Sequence, residues 1–422
     1  MIGRELVRAK HFFLTAWLGL LLLTSGCWSP AAQEVVVYSA LDREFSEPIL
    51  QAFEAETGIK VLAKYDIEST KTVGLVNEIL QEQRRPRCDL FWNNEILHTL
   101  RLQQLGRLDG YVSPAARDFP AAYRSPQGDW HGFAARVRVL IVNTRLVPPE
   151  QRPSSIQDLI DPKWRGRVGI AKPLFGTTAT QAAVLFSHWG RARAEAFFRQ
   201  LKDNAQVLSG NKQVAVSVAQ GQLAFGLTDT DDAIVERDQA ADVELVFPDQ
   251  GEDDLGALFI PNTLALIQGA AHPEAARRLV DYLLGASVET QLAQGASAQF
   301  PLNPAVQVPS RAAPGQPLKR MPVDFAAAAD QWETTAAFLR DLFTDQSVHW
   351  DQPQAHQPVA AADVEQAVGQ NRRSPARVLQ QWFAAFVPQA CLGHRFELPR
   401  IGLEEPQHAI FSQADEVAVD VQ

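Results

Sequence analysis

The feature that most constrains this chain is its punctuation. From Glu34 onward, short runs rich in β-branched residues alternate with stretches whose apolar residues recur every three or four positions. Residues 34–38 read as a strand. Phe45, Ile49, Leu50 and Phe53 then fall on one helical face, and Gly58 supplies a residue that tolerates a left-handed stop. The alternation continues with a strand over 59–65, a helix carried by Val73, Val76 and Leu80, a strand over 88–92, and a helix over 96–105 closed by Gly106. Parallel strands need crossovers, which helices supply, so this rhythm predicts an α/β fold with a mostly parallel sheet covered on both faces. Ligands of such sheets bind beyond the carboxyl ends of the strands. The chemistry should therefore lie in the few residues after each strand.

An extended stretch over 132–143 breaks the rhythm, and a second α/β series follows. It has a strand over 168–171, helices from Thr177 and Arg191, and strands over 223–227 and 243–247. A second extended stretch covers 259–267, and residues 273–284 form a strongly amphipathic helix. Two α/β halves joined by two extended crossings predict a hinged clamshell. Its expected lobes are 34–138 with 256–343, and 139–255, with the cleft between them. There is no internal repeat.

Both ends differ from this body. Arg4, Arg8 and Lys10 precede an apolar run over 12–23, too short to cross a bilayer (~20 residues) but suited to a secretory signal. Thr24-Ser25-Gly26-Cys27 follows and resembles a bacterial lipobox with threonine where leucine is more usual. The expectation is a signal peptide over 1–26, lipidation at Cys27 and a tether over 27–33. That places the protein in the periplasm or cell envelope, lipid-anchored to a membrane. The alternative is an ordinary cleaved signal with an incidental cysteine. Residues 346–422 hold 12 glutamines in 77 positions, with one convincing helix over 376–387. This composition fits a loosely ordered extension, with Trp382, Phe383 and Phe386 available to dock. Lys and Arg number 39 against 49 Asp and Glu, a net charge of −10, so nothing marks a nucleic-acid partner. Three cysteines make no disulfide scaffold and no C-x-x-C metal pair.

Five segments, in order, carry a likeness to a known family. They are VVVYSALDREFSEPILQAFEAETGIKV (35–61), GFAARVRVLIVNT (132–144), DLIDPKWRGRVGIAKP (158–173), GNKQVAVSVAQGQLAFGLTD (210–229) and HPEAARRLVDYLL (272–284). In them the chain resembles the bacterial extracellular solute-binding proteins of ABC transporters, in the ferric-iron-type branch of periplasmic binding proteins of type 2. The resemblance runs from about Glu34 to Phe343 and leaves the C-terminal extension unexplained. It implies a two-lobed Venus flytrap fold that captures a small molecule or ion and delivers it to a membrane permease. It also implies no cofactor and no catalysis; a monomer is expected.

The site candidates sit at strand ends. Gly176, Thr177, Thr178 and Thr180 open a helix, whose unpaired N–H groups attract anions, although a threonine there can also serve simply as a cap. In relatives this turn binds anions. Ser39 follows the first strand with Asp42 behind it, as a ligand donor or a plain turn. Asn93, Asn94 and Glu95 end the third strand and are good ligand contacts, though Asn94 is equally a helix cap. Arg136 and Arg138 share one face of an extended segment; Arg136 is read as a ligand or hinge residue able to grip phosphate, carbonate or carboxylate bidentately. Thr70 is a further donor candidate after the second strand. Where ferric-binding relatives carry paired tyrosines, this chain has Thr228-Asp229-Thr230-Asp231-Asp232. Only five tyrosines occur, so capture through twin phenolates is not expected. Asp229 and Asp231, with Glu95, suit a divalent metal ion or the ammonium or hydroxyl groups of an organic solute, or the aspartates cap the next helix. The combination fits a metal–anion pair, an aminophosphonate or a sugar phosphate.

Two other readings compete. A hydrolase would use the acidic cluster, but there is no G-x-S-x-G elbow, no H-E-x-x-H pair and no P-loop. An envelope sensor or scaffold would use the same fold with the extension as its docking arm.

Overall fold

The structure is a computed structural model that describes residues 33–66, 72–239 and 242–344. Cys27, Thr70 and the 346–422 extension lie outside the described residues.

The first part of the chain runs β1 (Glu34–Ser39), α1 (Arg43–Thr57), β2 (Lys60–Tyr65), α2 (Val73–Gln81), β3 (Leu90–Asn93), α3 (Leu97–Gln104) and the short β4 (Leu108–Asp109). The helix α1 buries Ile49, Leu50 and Phe53 on one face and stops at Gly58, whose φ of 70° lets its N–H close on the Glu54 carbonyl. Next comes β5 (His131–Asn143), a 13-residue strand with every residue buried. The second series is β6 (Val168–Ala171), α4 (Gly176–Trp189), α5 (Arg191–Asn204), β7 (Ala205–Leu208), α6 (Asn211–Ala219), β8 (Phe225–Asp229), α7 (Thr230–Asp238) and β9 (Val243–Val246). It is followed by β10 (Phe259–Ile267), α8 (Pro273–Leu283), α9 (Ala286–Gln294), α10 (Phe325–Asp330) and α11 (Trp332–Thr344).

The two halves repeat one plan. In the first, β1 lies between β2 and β3 and parallel to both; in the second, β6 lies between β7 and β8 and parallel to both. The strand order is β2-β1-β3-β10-β5-β8-β6-β7. Residues 131–137 of β5 pair antiparallel with β10, whereas 138–142 pair antiparallel with β8. One strand therefore belongs to both halves, as the long apolar run over 132–143 predicts. The strand over 259–267 pairs with β3, β4 and β5, within the first half. The return passage is thus the segment before it, meeting β5 where the Arg138 N–H donates to the Leu258 carbonyl at 3.0 Å.

The last two helices touch both halves. Trp332 packs edge-on to His98 of α3 at 5.6 Å, and Gln104 donates to Asp330 at 2.7 Å. On the other side Phe338 packs on Phe186 of α4, and Phe343 on Phe198 of α5. Aromatic pairs of this kind add about 0.5–1.5 kcal/mol each beyond burial. After β10 the chain is therefore not confined to the first half. Among the described residues, no helix is long and apolar enough to cross a membrane.

Candidate functional site

Because β6, β7 and β8 run parallel, they end at one edge, and there the chain turns into α4, α6 and α7. Three helix starts converge on one spot. The start of α4 is buried and receives no side-chain cap from Phe175; that of α6, after Gly210, is likewise uncapped by a side chain. Each such start carries unpaired N–H groups and roughly half a positive charge. Gly176 makes the α4 turn possible. Its φ is +53°, and a Cβ there meets nothing within 4 Å, so backbone angle rather than space calls for glycine. Facing these starts are Asn94 and Arg136 of the first half. Together with Lys172, Thr177, Thr178, Asn211, Asp229, Asp231 and Asp232 they line a pocket of about 20 Å³. That is room for about one water-sized body, so any solute enters only as the walls separate.

Arg138 and Asp229 form the centre of a closed network. The Arg138 guanidinium is 1% exposed and donates to Asp229 Oδ1 at 2.8 Å, Gln181 at 2.8 Å, Asn211 at 3.1 Å, Thr177 at 3.2 Å and Thr178 at 3.3 Å. Thr177 in turn donates to Asp229, and Thr178 donates to Asn211 at 3.0 Å. The Asn211 amide donates to Thr177 at 2.8 Å and to Asp229 at 3.0 Å. Both threonine hydrogens are spent inside the protein. The sequence reading offered these hydroxyls to a ligand; the geometry assigns them to a scaffold that fixes the start of α4. What α4 presents to the pocket is its backbone.

Arg136 is different. Its Nε donates to Asp231 and its Nη1 to the Asn94 carbonyl at 2.7 Å, while Nη2 is buried without a partner. Burial alone disfavours the charge, but Asp231, Asp229 and Asp42 outweigh it and hold the arginine's pKa above its ordinary value. A buried guanidinium N–H group without a partner is an unsatisfied donor that costs about 1–3 kcal/mol or more until an acceptor meets it.

The third-strand residues are used differently from expectation. Glu95 is fully buried and accepts from Asn93 at 2.8 Å, the His98 N–H at 3.1 Å and Thr180 at 2.7 Å, with His98 Nδ1 at 3.1 Å. Burial pushes its pKa up, and the His98, Thr180 and Asn93 interactions more than reverse this, leaving it below the ordinary glutamate value. Glu95 therefore ties α4 to the first half and is absent from the pocket lining; it is not placed as a metal ligand. Asn93 is held by Glu95, Thr99 and Thr72, so its amide too is internal. Asn94 does line the pocket. Ser39, the last residue of β1, donates to the Leu41 carbonyl at 3.1 Å and lies outside the pocket. Asp42 stands at the start of α1 without capping it by its side chain, and contributes to the field on Arg136.

Asp229, Asp231 and Asp232 place carboxylate oxygens within 4.8 Å of one another. Two of them already face guanidiniums, Asp229 at Arg138 and Asp231 at Arg136. A cation here competes with both arginines. No tyrosine lines the pocket. Tyr38 bonds to Glu82, Tyr111 bonds to Asp281 at 2.8 Å, and Tyr282 packs on Phe53. Burial pushes the Tyr65 and Tyr111 phenols up to about 12, Tyr111 further helped by Asp281, against phenolate formation. Sequence reasoning missed Asn211 and Lys172 as site residues. Both follow strand ends, β7 and β6, which is the signal that marked the others. A larger groove of about 1150 Å³ runs beside β2, but it lacks the converging buried polar groups of the smaller pocket.

Comparison with known proteins agrees with this architecture. The profile of a family described as bacterial extracellular solute-binding protein matches residues 97–329. The major ferric iron-binding protein of Neisseria meningitidis is 26% identical over 286 residues, covering 66% of this chain and 83% of that protein. Iron-bound HitA from Pseudomonas aeruginosa superposes with a TM-score of 0.65 at 23% identity, over 74% of this chain and 99% of that one. The periplasmic binding protein AfuA from Actinobacillus pleuropneumoniae, solved with exogenous fructose-6-phosphate, gives a TM-score of 0.66 at 21% identity, over 74% and 99%.

Proposed function

This chain belongs to the bacterial extracellular solute-binding proteins, a family of binding proteins and not of enzymes, and from that premise we propose that it is the capture component of an ABC importer, taking a solute with a phosphoryl or phosphonyl head. The observation that carries the ligand class is the buried, partnerless Nη2 of Arg136, a residue that lines the same pocket as the uncapped start of α4. An anionic head between them satisfies both donors. The carboxylates of Asp231 and Asp232 then face the ammonium or hydroxyl groups of the same solute. Asn94 and Arg136 come from the first half and α4, α6 and α7 from the second, so a bound solute favours closure of one half on the other. The proposed hinge is β5 around Arg136 to Arg138, which would end the first stretch of the first lobe near residue 138.

A thermal-shift series with inorganic phosphate, 2-aminoethylphosphonate, fructose 6-phosphate and ferric nitrilotriacetate tests this. Stabilisation by a phosphoryl or phosphonyl compound, abolished by Arg136→Gln, is expected; stabilisation by the ferric complex alone refutes it. The acidic trio favours one second reading, a metal ion taken together with its anion. In that case metal and anion stabilise only when added together. Cys27 is proposed as the lipid acceptor, with the protein held at a periplasmic membrane surface beside its permease. Cys27→Ala should move it from the membrane to the soluble fraction; unchanged partition contradicts the anchor.

A further inference from the structure

We propose that Glu289 is a positioning residue for Arg136, acting through a kink at Ala134. The proposal rests on Arg136 as the pocket arginine, and its test needs no solute. Ala134 lies inside β5 with φ +39°, a left-handed conformation disfavoured for a non-glycine residue. The β5–β10 ladder slips beside it. Phe133 pairs with Asn262 and Ala135 with Pro261, so Ala134 is the extra residue of a bulge.

The kink is held from one flank. Glu289, on the first turn of α9 and 0% exposed, accepts from the Ala134 N–H at 2.5 Å. Its other oxygen accepts from the N–H groups of Leu302 at 2.9 Å and Asn303 at 2.6 Å. Asn262 donates to the Ala134 carbonyl, and Ala135 exchanges backbone hydrogen bonds with Phe300 at 2.7 and 2.8 Å. A buried carboxylate bonded to three backbone N–H groups, and to no cation among the described residues, is a costly device to keep in a core. What it secures is the point where β5 leaves its regular ladder, two residues before Arg136. Because side chains alternate along a strand, the bulge sets the face on which Arg136 emerges. Glu289 therefore fixes the aim of the guanidinium without touching it.

The test reads the arginine Nε–H signals of the full chain by ¹⁵N NMR, assigned with Arg136→Lys and Arg138→Lys. In Glu289→Ala the Arg136 signal should shift or exchange away, while that of Arg138, held from the second half, stays in place. Adding Ala134→Gly removes the penalty on the kink and should return the Arg136 signal and about 2 °C of the lost melting temperature. If Glu289→Ala does not fold, Glu289→Gln, which keeps the volume but sets an amide against one of the N–H groups, takes its place with the same readout. An unmoved Arg136 signal, loss of both arginine signals together, or no recovery on adding Ala134→Gly overturns the proposal.

Discussion

Replacing Arg138 with methionine asks whether the inner arginine is scaffold or ligand contact. The chain of the side chain is kept, and the five donor contacts to Asp229, Gln181, Asn211, Thr177 and Thr178 are lost. Asp229 is left as a buried carboxylate without its cation, a change that typically costs about 3–5 kcal/mol. Unfolding entropy near 2 cal/mol/K per residue over about 300 described residues converts 4 kcal/mol into a fall of about 6 °C in melting temperature. The physical origin predicts a repair. Arg138→Met with Asp229→Asn removes the stranded charge and should recover about half of the loss, an interaction visible as non-additivity in the double-mutant cycle. Differential scanning calorimetry measures all four proteins. A single variant melting within 1 °C of the parent, or a double variant no more stable than the single one, refutes the scaffold argument.

Other consequences follow from the same geometry. Glu95 has a folded-state pKa below its ordinary value, so it contributes stability that is present above the unfolded glutamate pKa and is lost as pH falls through the folded one. Glu95→Gln should therefore lower the melting temperature at neutral pH and flatten the acid limb; melting curves from pH 7 down to 3 that run parallel to the parent contradict this. Gly176→Ala places a Cβ at φ +53°. The strain of about 1–2 kcal/mol should lower the melting temperature by about 2–3 °C and weaken binding of whichever phosphoryl compound stabilises the parent. Equal affinity and stability would show that the α4 turn tolerates an L-residue.

The fold was legible because its signals are local. Helical and strand periodicities and the stop at Gly58 lie within a few residues of the elements they define, and the length and apolarity of 132–143 mark the strand shared by both halves. The site was legible only in part. Strand ends identified Thr177, Asp229 and Asp231, and one face of the extended segment identified Arg136, but not what each would touch. Glu95 meets Thr180 across 85 positions, and Arg138 meets Asp229 across 91, separations at which no spacing rule operates. That is why Glu95 reads as a ligand in sequence and is a tie between halves in space. Likewise a hydroxyl at a helix start looks available until Asn211, 34 residues later, is found against Thr177. The kink at Ala134 has no sequence signal at all, since alanine is a poor residue for a positive φ.

The most direct measurement is a calorimetric titration of the phosphoryl compound giving the largest thermal shift, into the parent protein and into Arg136→Gln, beside ferric nitrilotriacetate. A saturable heat in the parent that weakens by about 30-fold in the variant, the equivalent of about 2 kcal/mol for a charge-assisted contact, with no saturable ferric heat, is the predicted result. Saturable ferric binding of equal strength in both proteins, with no phosphoryl heat, contradicts it.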